Sequence, residues 1–506
     1  MVWEELINGL QSKFIMQVKN FTDIKSFFFD NKTVKQTIFK NTFWLSIGMS
    51  VERLLGFILL VYVARILGAA EYGKFSFALA FVSLFVIFQD FGLPTLVTRE
   101  YARNEGEKDK EEFYSVISLK ILLSIATFII ILASSFFITA DPQIRQVIMI
   151  LAIFSLLNGF STLFYSFFQA RQKMEYQTWL ETLQYLLISG LGLFVLFSFP
   201  SVENLSYSYL AAGLISLIMV LIFFNVKIFT LKILWQSSVW RKFLMMSWPL
   251  ALTGLFAVLY NYTDSVMMGY WGMVTETGWY NAAYRIILVV LIPGGLISGS
   301  FYPVLSKFFK DSKEKLQQVW NSQVELMILF ALPLVTGGIV LAPRIIDYFY
   351  SASFFPSILA FQILIVMAGL LCLYRPFSDV LIAANQQRKT FWITLFGALF
   401  NIILNLILIP KYSLYGAAAT TVVTYIIIFL ISVGLAIKYT PIKLPYLKIF
   451  SVFIMAILSS TLMYFVITRP LIYNLNVFLS AIIGALTYLS CLLVLKRITK
   501  PIYEKA

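Results

Sequence analysis

Long apolar stretches separated by short polar ones run through nearly the whole chain. About fourteen can be marked off. Six lie near 41–66, 74–98, 114–138, 144–168, 178–199 and 206–229, and six near 243–270, 279–306, 324–349, 356–384, 389–410 and 414–437. Two more follow near 447–468 and 472–495. A helix rises about 1.5 Å per residue, so stretches of this length cross roughly 30 Å of hydrocarbon. The pattern predicts an all-α polytopic membrane protein. No long extramembrane stretch interrupts it. The longest connections are 99–113, 230–242 and 307–323, and the last reads as a short surface helix. The first 35 residues differ. Trp3, Leu6, Ile7, Leu10, Phe14, Val18 and Phe21 recur at helical spacing with Lys13, Lys19 and Lys25 nearby. They read as an amphipathic helix on the inner membrane surface.

Charge orients these spans. The 39 Lys and Arg concentrate in the two termini and in every second loop. Only Arg65, Lys74, Arg145, Arg344, Lys411 and Arg469 fall in or beside the other loops, and Arg53, Lys120, Arg285 and Arg375 lie inside apolar spans. Basic loops stay in the cytoplasm, so both termini are expected there. The net charge of +14 is then explained by orientation and anionic lipid rather than by nucleic acid.

Composition removes several function classes. The chain is 60% hydrophobic and 13% charged, unlike a soluble domain. It has no histidine, which excludes His-based catalysis, His metal sites and His proton relays. Its two cysteines, Cys372 and Cys491, lie within apolar spans and offer neither a disulfide framework nor metal spacing. No phosphate-cradling glycine loop is present, so the chain carries no ATP engine and calls for no cofactor. No cleavable signal is evident, and the first span is expected to act as its own.

The chain also repeats itself. Glu71-Tyr72-Gly73-Lys74-Phe75-Ser76-Phe77-Ala78 follows span one, and Glu276-Thr277-Gly278-Trp279-Tyr280-Asn281-Ala282-Ala283 follows span seven, an offset of 205 positions. A weaker echo links Ala170-Arg171-Gln172 with Ala384-Asn385-Gln386, an offset of 214. Two similar offsets imply two six-helix halves. Six is even, so both halves start on the same side and the repeat is parallel, around a central cavity.

Charges inside the spans are the candidate chemistry, because an ionisable group in hydrocarbon normally faces a wet cavity or a partner. Glu52 and Arg53 sit near the middle of span one and, being adjacent, point about 100° apart. Asp264 and Arg285 fall in the outer third of spans seven and eight, where a hairpin could pair them, for structure or for gating. Arg375 and Asp379, four apart in span ten, favour a same-face pair beside a kink at Pro376. Lys120 and Glu181 are close enough to the inner surface to snorkel. Asp90, before Phe91-Gly92-Leu93-Pro94, either caps a break there or binds something. Arginine suits phosphate because its fork donates two hydrogen bonds at once. Three deep arginines therefore hint at an anionic substrate, with the acidic residues serving gating or ion coupling. Pro249, Gly254, Pro293-Gly294-Gly295, Gly299, Pro303, Pro333, Gly337, Gly338 and Pro343 supply flexible points in spans seven to nine.

Several stretches resemble the prokaryotic polysaccharide transporter family, the lipid-linked oligosaccharide flippases of the multidrug/oligosaccharidyl-lipid/polysaccharide exporter superfamily. They are Ala64-Arg65-Ile66-Leu67-Gly68-Ala69-Ala70-Glu71-Tyr72-Gly73, Asp90-Phe91-Gly92-Leu93, Thr98-Arg99-Glu100-Tyr101-Ala102-Arg103, Thr277-Gly278-Trp279-Tyr280-Asn281-Ala282-Ala283-Tyr284-Arg285, and Leu408-Ile409-Pro410-Lys411-Tyr412-Ser413-Leu414-Tyr415-Gly416-Ala417-Ala418. The resemblance covers roughly residues 40 to 440. It implies two six-helix lobes in a V with alternating access and two extra helices. It also implies an isoprenoid-pyrophosphate-linked sugar repeat moved from the inner to the outer leaflet. The sugars would occupy the cavity while the lipid tail stays in the bilayer, and spans thirteen and fourteen would offer an apolar groove for that tail. Arg53 falls where lipid II flippase relatives carry cavity charge.

The resulting expectation divides the chain into a cytoplasmic amphipathic segment (1–40), an N-lobe (41–229), a cytoplasmic linker (230–242), a C-lobe (243–437), and spans thirteen and fourteen with a cytoplasmic tail (438–506). Arg53, Arg285 and Arg375 are the expected substrate cations. Glu52, Asp264 and Asp379 are the expected gating or ion-coupling acids. The expected partners are a polyprenyl-pyrophosphate-linked oligosaccharide, membrane lipids, and a glycan polymerase or glycosyltransferases, in the cytoplasmic membrane of a prokaryote. A drug or metabolite exporter of the multidrug and toxin extrusion type is the alternative. A non-transporting scaffold has little reason to carry intramembrane charge, and no nucleophile, base and electrophile set suggests an enzyme.

Overall fold

A computed structural model describes residues 29–30, 33–102 and 107–503. The amphipathic reading of residues 1–35 therefore falls largely outside the described residues. The helices, in chain order, are α1 (Val34–Asp90), α2 (Leu93–Tyr101), α3 (Glu107–Ile138), α4 (Pro142–Ala170), α5 (Met174–Ser198), α6 (Val202–Lys227), α7 (Ser237–Tyr270) and α8 (Val274–Val290). After these come α9 (Ile292–Asp311), α10 (Lys313–Phe349), α11 (Ser357–Ala383), α12 (Gln387–Tyr439), α13 (Tyr446–Ile467), α14 (Pro470–Tyr473) and α15 (Val477–Tyr503). No strand occurs among the described residues.

Eleven helices among the described residues are long and apolar enough to cross a membrane, or twelve if α8 and α9, bent by 41°, form one span. Two of these are double passes. α1 has 57 residues, about 85 Å if straight, and is interrupted by non-helical Gly68 at φ 78°. Glu52 to Leu60 and Leu79 to Val86 line one cavity, so the chain reverses near Gly68 and its two limbs lie side by side. α12 has 53 residues and is interrupted at Ser413. There Gly397 faces Ile428, and Gly416 lies so close to the Leu408 carbonyl that a Cβ would sit 2.4 Å from its oxygen. Counted by passes, the architecture is the predicted one of about fourteen spans. The connection 307–323 is not a separate surface helix. α9 and α10 run through it, broken only at Ser312, whose hydroxyl accepts from the Lys315 N–H and caps α10.

The internal repeat is a backbone repeat. α4 ends with Gln172 at φ 55° and α11 with Asn385 at φ 57°. Lys173 N–H donates to the Phe168 carbonyl, and Gln386 N–H donates to that of Leu381. The equivalent turns are thus offset by 213. The register of 214 suggested by the Ala-x-Gln match is one residue off, because side-chain identity drifted while the turn stayed fixed. The stronger match holds at 205, and its two copies touch. A Cβ on Gly73 would lie 1.9 Å from the Val274 carbonyl oxygen, and one on Gly278 would lie 2.2 Å from that of Ala69. Residues 69 and 274 share the same offset, so this is a contact across a pseudo-two-fold axis, made possible by the missing side chains.

The second limb of α1 packs antiparallel along α7, again through glycine. Gly92 meets Leu250, Gly254 meets Ile87, and Gly269 meets Phe77. Small residues let helix backbones approach where lipid offers no hydrophobic drive. Arg65 donates to the Tyr348 and Phe349 carbonyls at the C-terminus of α10, and Phe57 stacks edge-on to Phe349. At the far end of the sequence, Arg344 donates to Ser480 and the Leu475 carbonyl, and Glu325 bridges Lys448 and Lys496. These contacts tie α13 and α15 to α10.

Candidate functional site

A cavity of about 410 Å³ opens between the limbs of α1 and helices α4 to α8. Its position follows from the chain reversal and the glycine seam. The reversal puts Glu52, Arg53 and Leu60 beside Leu79, Ser83 and Val86, while α7 and α8 supply Tyr262 and Arg285 across from them. Toward one end of these helices, Gly73 and Gly278 bring the backbones of α1 and α8 into direct contact.

Two of the three expected cations lie here. Arg53 is exposed toward the cavity and has no hydrogen bond or ion pair among the described residues. Arg285 is half-buried, and its enclosed Nε has no partner. Tyr72, Tyr209, Tyr262 and Tyr284 surround it within electrostatic reach. Glu52 also lines the cavity, and its carboxylate accepts a 2.6 Å hydrogen bond from the Tyr185 hydroxyl. It does not neutralise Arg53, as their 100° separation on the helix required. A fork with no anion on it, in a space of low dielectric, is a site for an anionic group.

The other charged residues are placed differently. Asp264 does not pair with Arg285. It is buried and accepts from Tyr280 (2.6 Å), Asn405 (2.5 Å) and Thr421 (2.9 Å), which knits α7, α8 and both limbs of α12. Beside it, Asn401 Nδ2 and Asn405 Oδ1 are enclosed and unpaired. Asp379 accepts from Ser298 and from Gln323 (2.7 Å) instead of forming the expected pair with Arg375. Arg375 does not line the cavity. It lies by Gly295, with its Nε enclosed and unpaired. α11 continues through Pro376, whose carbonyl accepts the Trp320 indole N–H at 3.2 Å. Lys120 does not snorkel: it is fully buried and donates to Asp90 and to the Gln89 carbonyl. Asp90 thereby anchors the break between α1 and α2 to α3, where Phe91 and Gly92 both take positive φ.

Uncharged residues that a search for charges passes over complete the wall. Gln184 donates to Asn158 at 3.0 Å, and both line the cavity with Tyr185, Ser83 and Ser155. Their signal in the sequence was an amide or hydroxyl within spans two, four and five. That signal is weak because such groups also serve helix packing.

The profile of the family described as polysaccharide biosynthesis protein matches residues 38–309. The chain belongs to that family. It is 24% identical over 406 residues to the probable low-salt glycan biosynthesis flippase Agl15 of Haloferax volcanii, covering 78% of this chain and 82% of the relative. It is 20% identical to the capsular polysaccharide biosynthesis protein CapF of Staphylococcus aureus, covering 76% and 96%. Among solved structures it resembles a lipid II flippase MurJ in an inward closed conformation, with TM-score 0.74 at 18% identity over 90% of this chain and 99% of that one. It also resembles an inward-facing multidrug MATE transporter, with TM-score 0.60 at 17% identity over 79% and 98%. The fold of this multi-pass membrane protein is thus shared with both.

Proposed function

We propose that this protein is a flippase that moves a polyprenyl-pyrophosphate-linked oligosaccharide from the inner to the outer leaflet of a prokaryotic cytoplasmic membrane, for cell-surface glycan export. The observation that carries this reading is a cavity in which Arg53, without a partner, and Arg285, with an enclosed and unpaired Nε, face a wall of amides and hydroxyls. Arginine forks suit the phosphates, and amides and phenols suit sugar hydroxyls. Membership of a polysaccharide biosynthesis family, and relatives named as glycan flippases, support the same reading.

Both termini face the cytoplasm in this reading, in line with the charge distribution. Residues 41–229 and 243–437 act as two lobes that rock about the cavity, joined by 230–242, and 438–506 adds spans thirteen and fourteen and a tail. Asp264, with Asn405, Thr421 and the spare polar atoms of Asn401, is the strongest candidate for coupling to a cation. Glu52 and Asp379 serve gating, and Arg375 acts within the C-lobe rather than on the substrate. Glycosyltransferases and a glycan polymerase would supply and consume the substrate.

The drug-exporter reading rests on the likeness to the multidrug transporter, but the chemistry of the cavity disfavours it. A cationic drug needs an unengaged carboxylate and an aromatic cage, whereas Glu52 is engaged by Tyr185 and the free charges are positive. The test is glycan export by Arg53→Ala at matched membrane abundance. Export should be abolished, and wild-type export would remove Arg53 from the substrate site.

A further inference from the structure

Among the described residues, the hydrogen bonds that cross from 41–229 to 243–437 come from one side chain, Arg65. Elsewhere the halves meet through glycines and apolar side chains. Arg65 lies at the end of the first limb of α1, just before the break at Gly68. It is exposed, and its guanidinium donates to two consecutive carbonyls, through Nε to Phe349 at 2.7 Å and through Nη2 to Tyr348. Both belong to the last turn of α10. The Tyr350 N–H closes that helix on the Ile346 carbonyl at 2.8 Å, so these two carbonyls lie beyond the last helical donor. They also form the negative end of a 37-residue helix, where a cation is stabilised. Arg65 thus caps a helix of the opposite half. Phe57, about two turns earlier on α1, lines the cavity and sets its ring edge-on to Phe349 at 5.1 Å.

The same turn of α10 is held by α15. Arg344 donates to Ser480 Oγ at 3.0 Å and to the Leu475 carbonyl, and the Tyr348 and Phe349 rings pack on Phe478 at 5.1 and 6.2 Å. The pseudo-two-fold supplies no second copy of this joint. At the offset of 205 the counterpart of Arg65 is Tyr270, an exposed ring with no hydrogen bond among the described residues. The first half also lacks an added helix pair, since α7 follows α6 directly. The cap therefore occurs on the half to which α13 and α15 are fastened.

We propose that Arg65 is a latch between the halves on the outer side, and that α15 sets this latch by holding the carbonyls that Arg65 caps. This rests on the flippase reading, which supplies the rocking halves and the outward direction. Water replaces both partners of so exposed a contact at little cost when the halves part. The joint therefore biases the equilibrium without blocking it. A shift of α15 against α10 turns the Tyr348 and Phe349 carbonyls away from Arg65 and loosens the latch. Spans thirteen and fourteen thereby take part in controlling access to the cavity, and Arg65 and Arg344 are positioning residues that never touch the substrate.

The test uses the full chain in intact cells, with Cys372 and Cys491 replaced by alanine and Val82→Cys in the cavity as the target of a membrane-impermeant thiol reagent applied outside. At matched abundance, Arg65→Gln should speed labelling about 3- to 30-fold, the range for a charge at a helix end. Arg65→Lys keeps the charge but not the two-pronged contact. It should fall between the two, and so separates a lost latch from lost folding. Arg344→Gln should speed labelling as well. Added to Arg65→Gln it should speed labelling no further, since both act on one contact. Lys411→Gln, which removes an exposed cation that makes no hydrogen bond, should label within about twofold of the parent. Labelling of Arg65→Gln at the parent rate overturns the latch. Effects of Arg65→Gln and Arg344→Gln that multiply overturn the part given to α15. If Arg65→Gln speeds labelling only from the cytoplasmic side, in inverted membrane vesicles, the latch stands and the orientation in the flippase reading fails.

Discussion

The contact of Gly73 with Gly278 ties a single methyl group to a measurable conformational equilibrium. In Gly73→Ala the new Cβ would lie 1.9 Å from the Val274 oxygen, 2.8 Å from its carbon and 3.1 Å from the Gly278 nitrogen. Ordinary carbon–oxygen contact begins at about 3.3 Å, so the two backbones must part by more than an ångström. Neither neighbour is a side chain that can rotate away. Overpacking of this kind costs about 1–3 kcal/mol. Only an arrangement in which these two backbones touch bears that cost, so the balance should move toward one in which they part, by about 5- to 150-fold. The assay is labelling of Val82→Cys, which lines the cavity, by a membrane-impermeant thiol reagent applied outside intact cells, with Cys372 and Cys491 replaced by alanine. Gly73→Ala should accelerate labelling over this range, and Gly278→Ala should do the same by symmetry. Gly190→Ala is the control, because a Cβ there meets nothing within 4 Å. Labelling in Gly73→Ala at the wild-type rate and equal abundance would refute the gate.

Three further outcomes follow from the same geometry. Lys120→Met leaves Asp90 without its buried partner and should destabilise the protein by about 3–5 kcal/mol, read as a lower melting temperature in detergent; adding Asp90→Asn should recover most of the loss. An unchanged melting temperature in the single variant would mean that the pair is solvated. Asp264→Asn keeps the shape of the cluster with Tyr280, Asn405 and Thr421 but removes its charge. Abundance should hold while the dependence of transport on an imposed cation gradient disappears, and an intact dependence would exclude Asp264 from coupling. Arg375→Gln, outside the cavity, should leave farnesyl pyrophosphate affinity within about twofold of wild type, whereas Arg53→Gln should not.

The spans, their number and the two-fold repeat were legible because apolar length and turn chemistry are local properties. Even the double passes could be read, since Gly68 and Ser413 fall between predicted spans. Arg53 was legible as a residue facing something polar, because adjacent helical residues point apart and Glu52 cannot neutralise it. Pairings between spans were not legible. Asp264 chose Asn405 and Thr421, far along the chain, over nearby Arg285, and Asp379 chose Ser298 and Gln323 over Arg375 one turn away. The side on which each helix meets its neighbours decides such choices, and periodicity does not report it in helices apolar all round. Lys120 was misjudged for the same reason. Its depth allowed snorkelling, but its face points inward, to Asp90. Asn158, Gln184 and Tyr185 were overlooked because uncharged polar residues carry little penalty in a span and so little signal.

The most direct test of the central claim is the leaflet distribution of lipid-linked oligosaccharide in cells depleted of this protein. The account predicts build-up on the cytoplasmic face, reversed by wild type but not by Arg53→Ala at equal abundance. A distribution unchanged by depletion would contradict it.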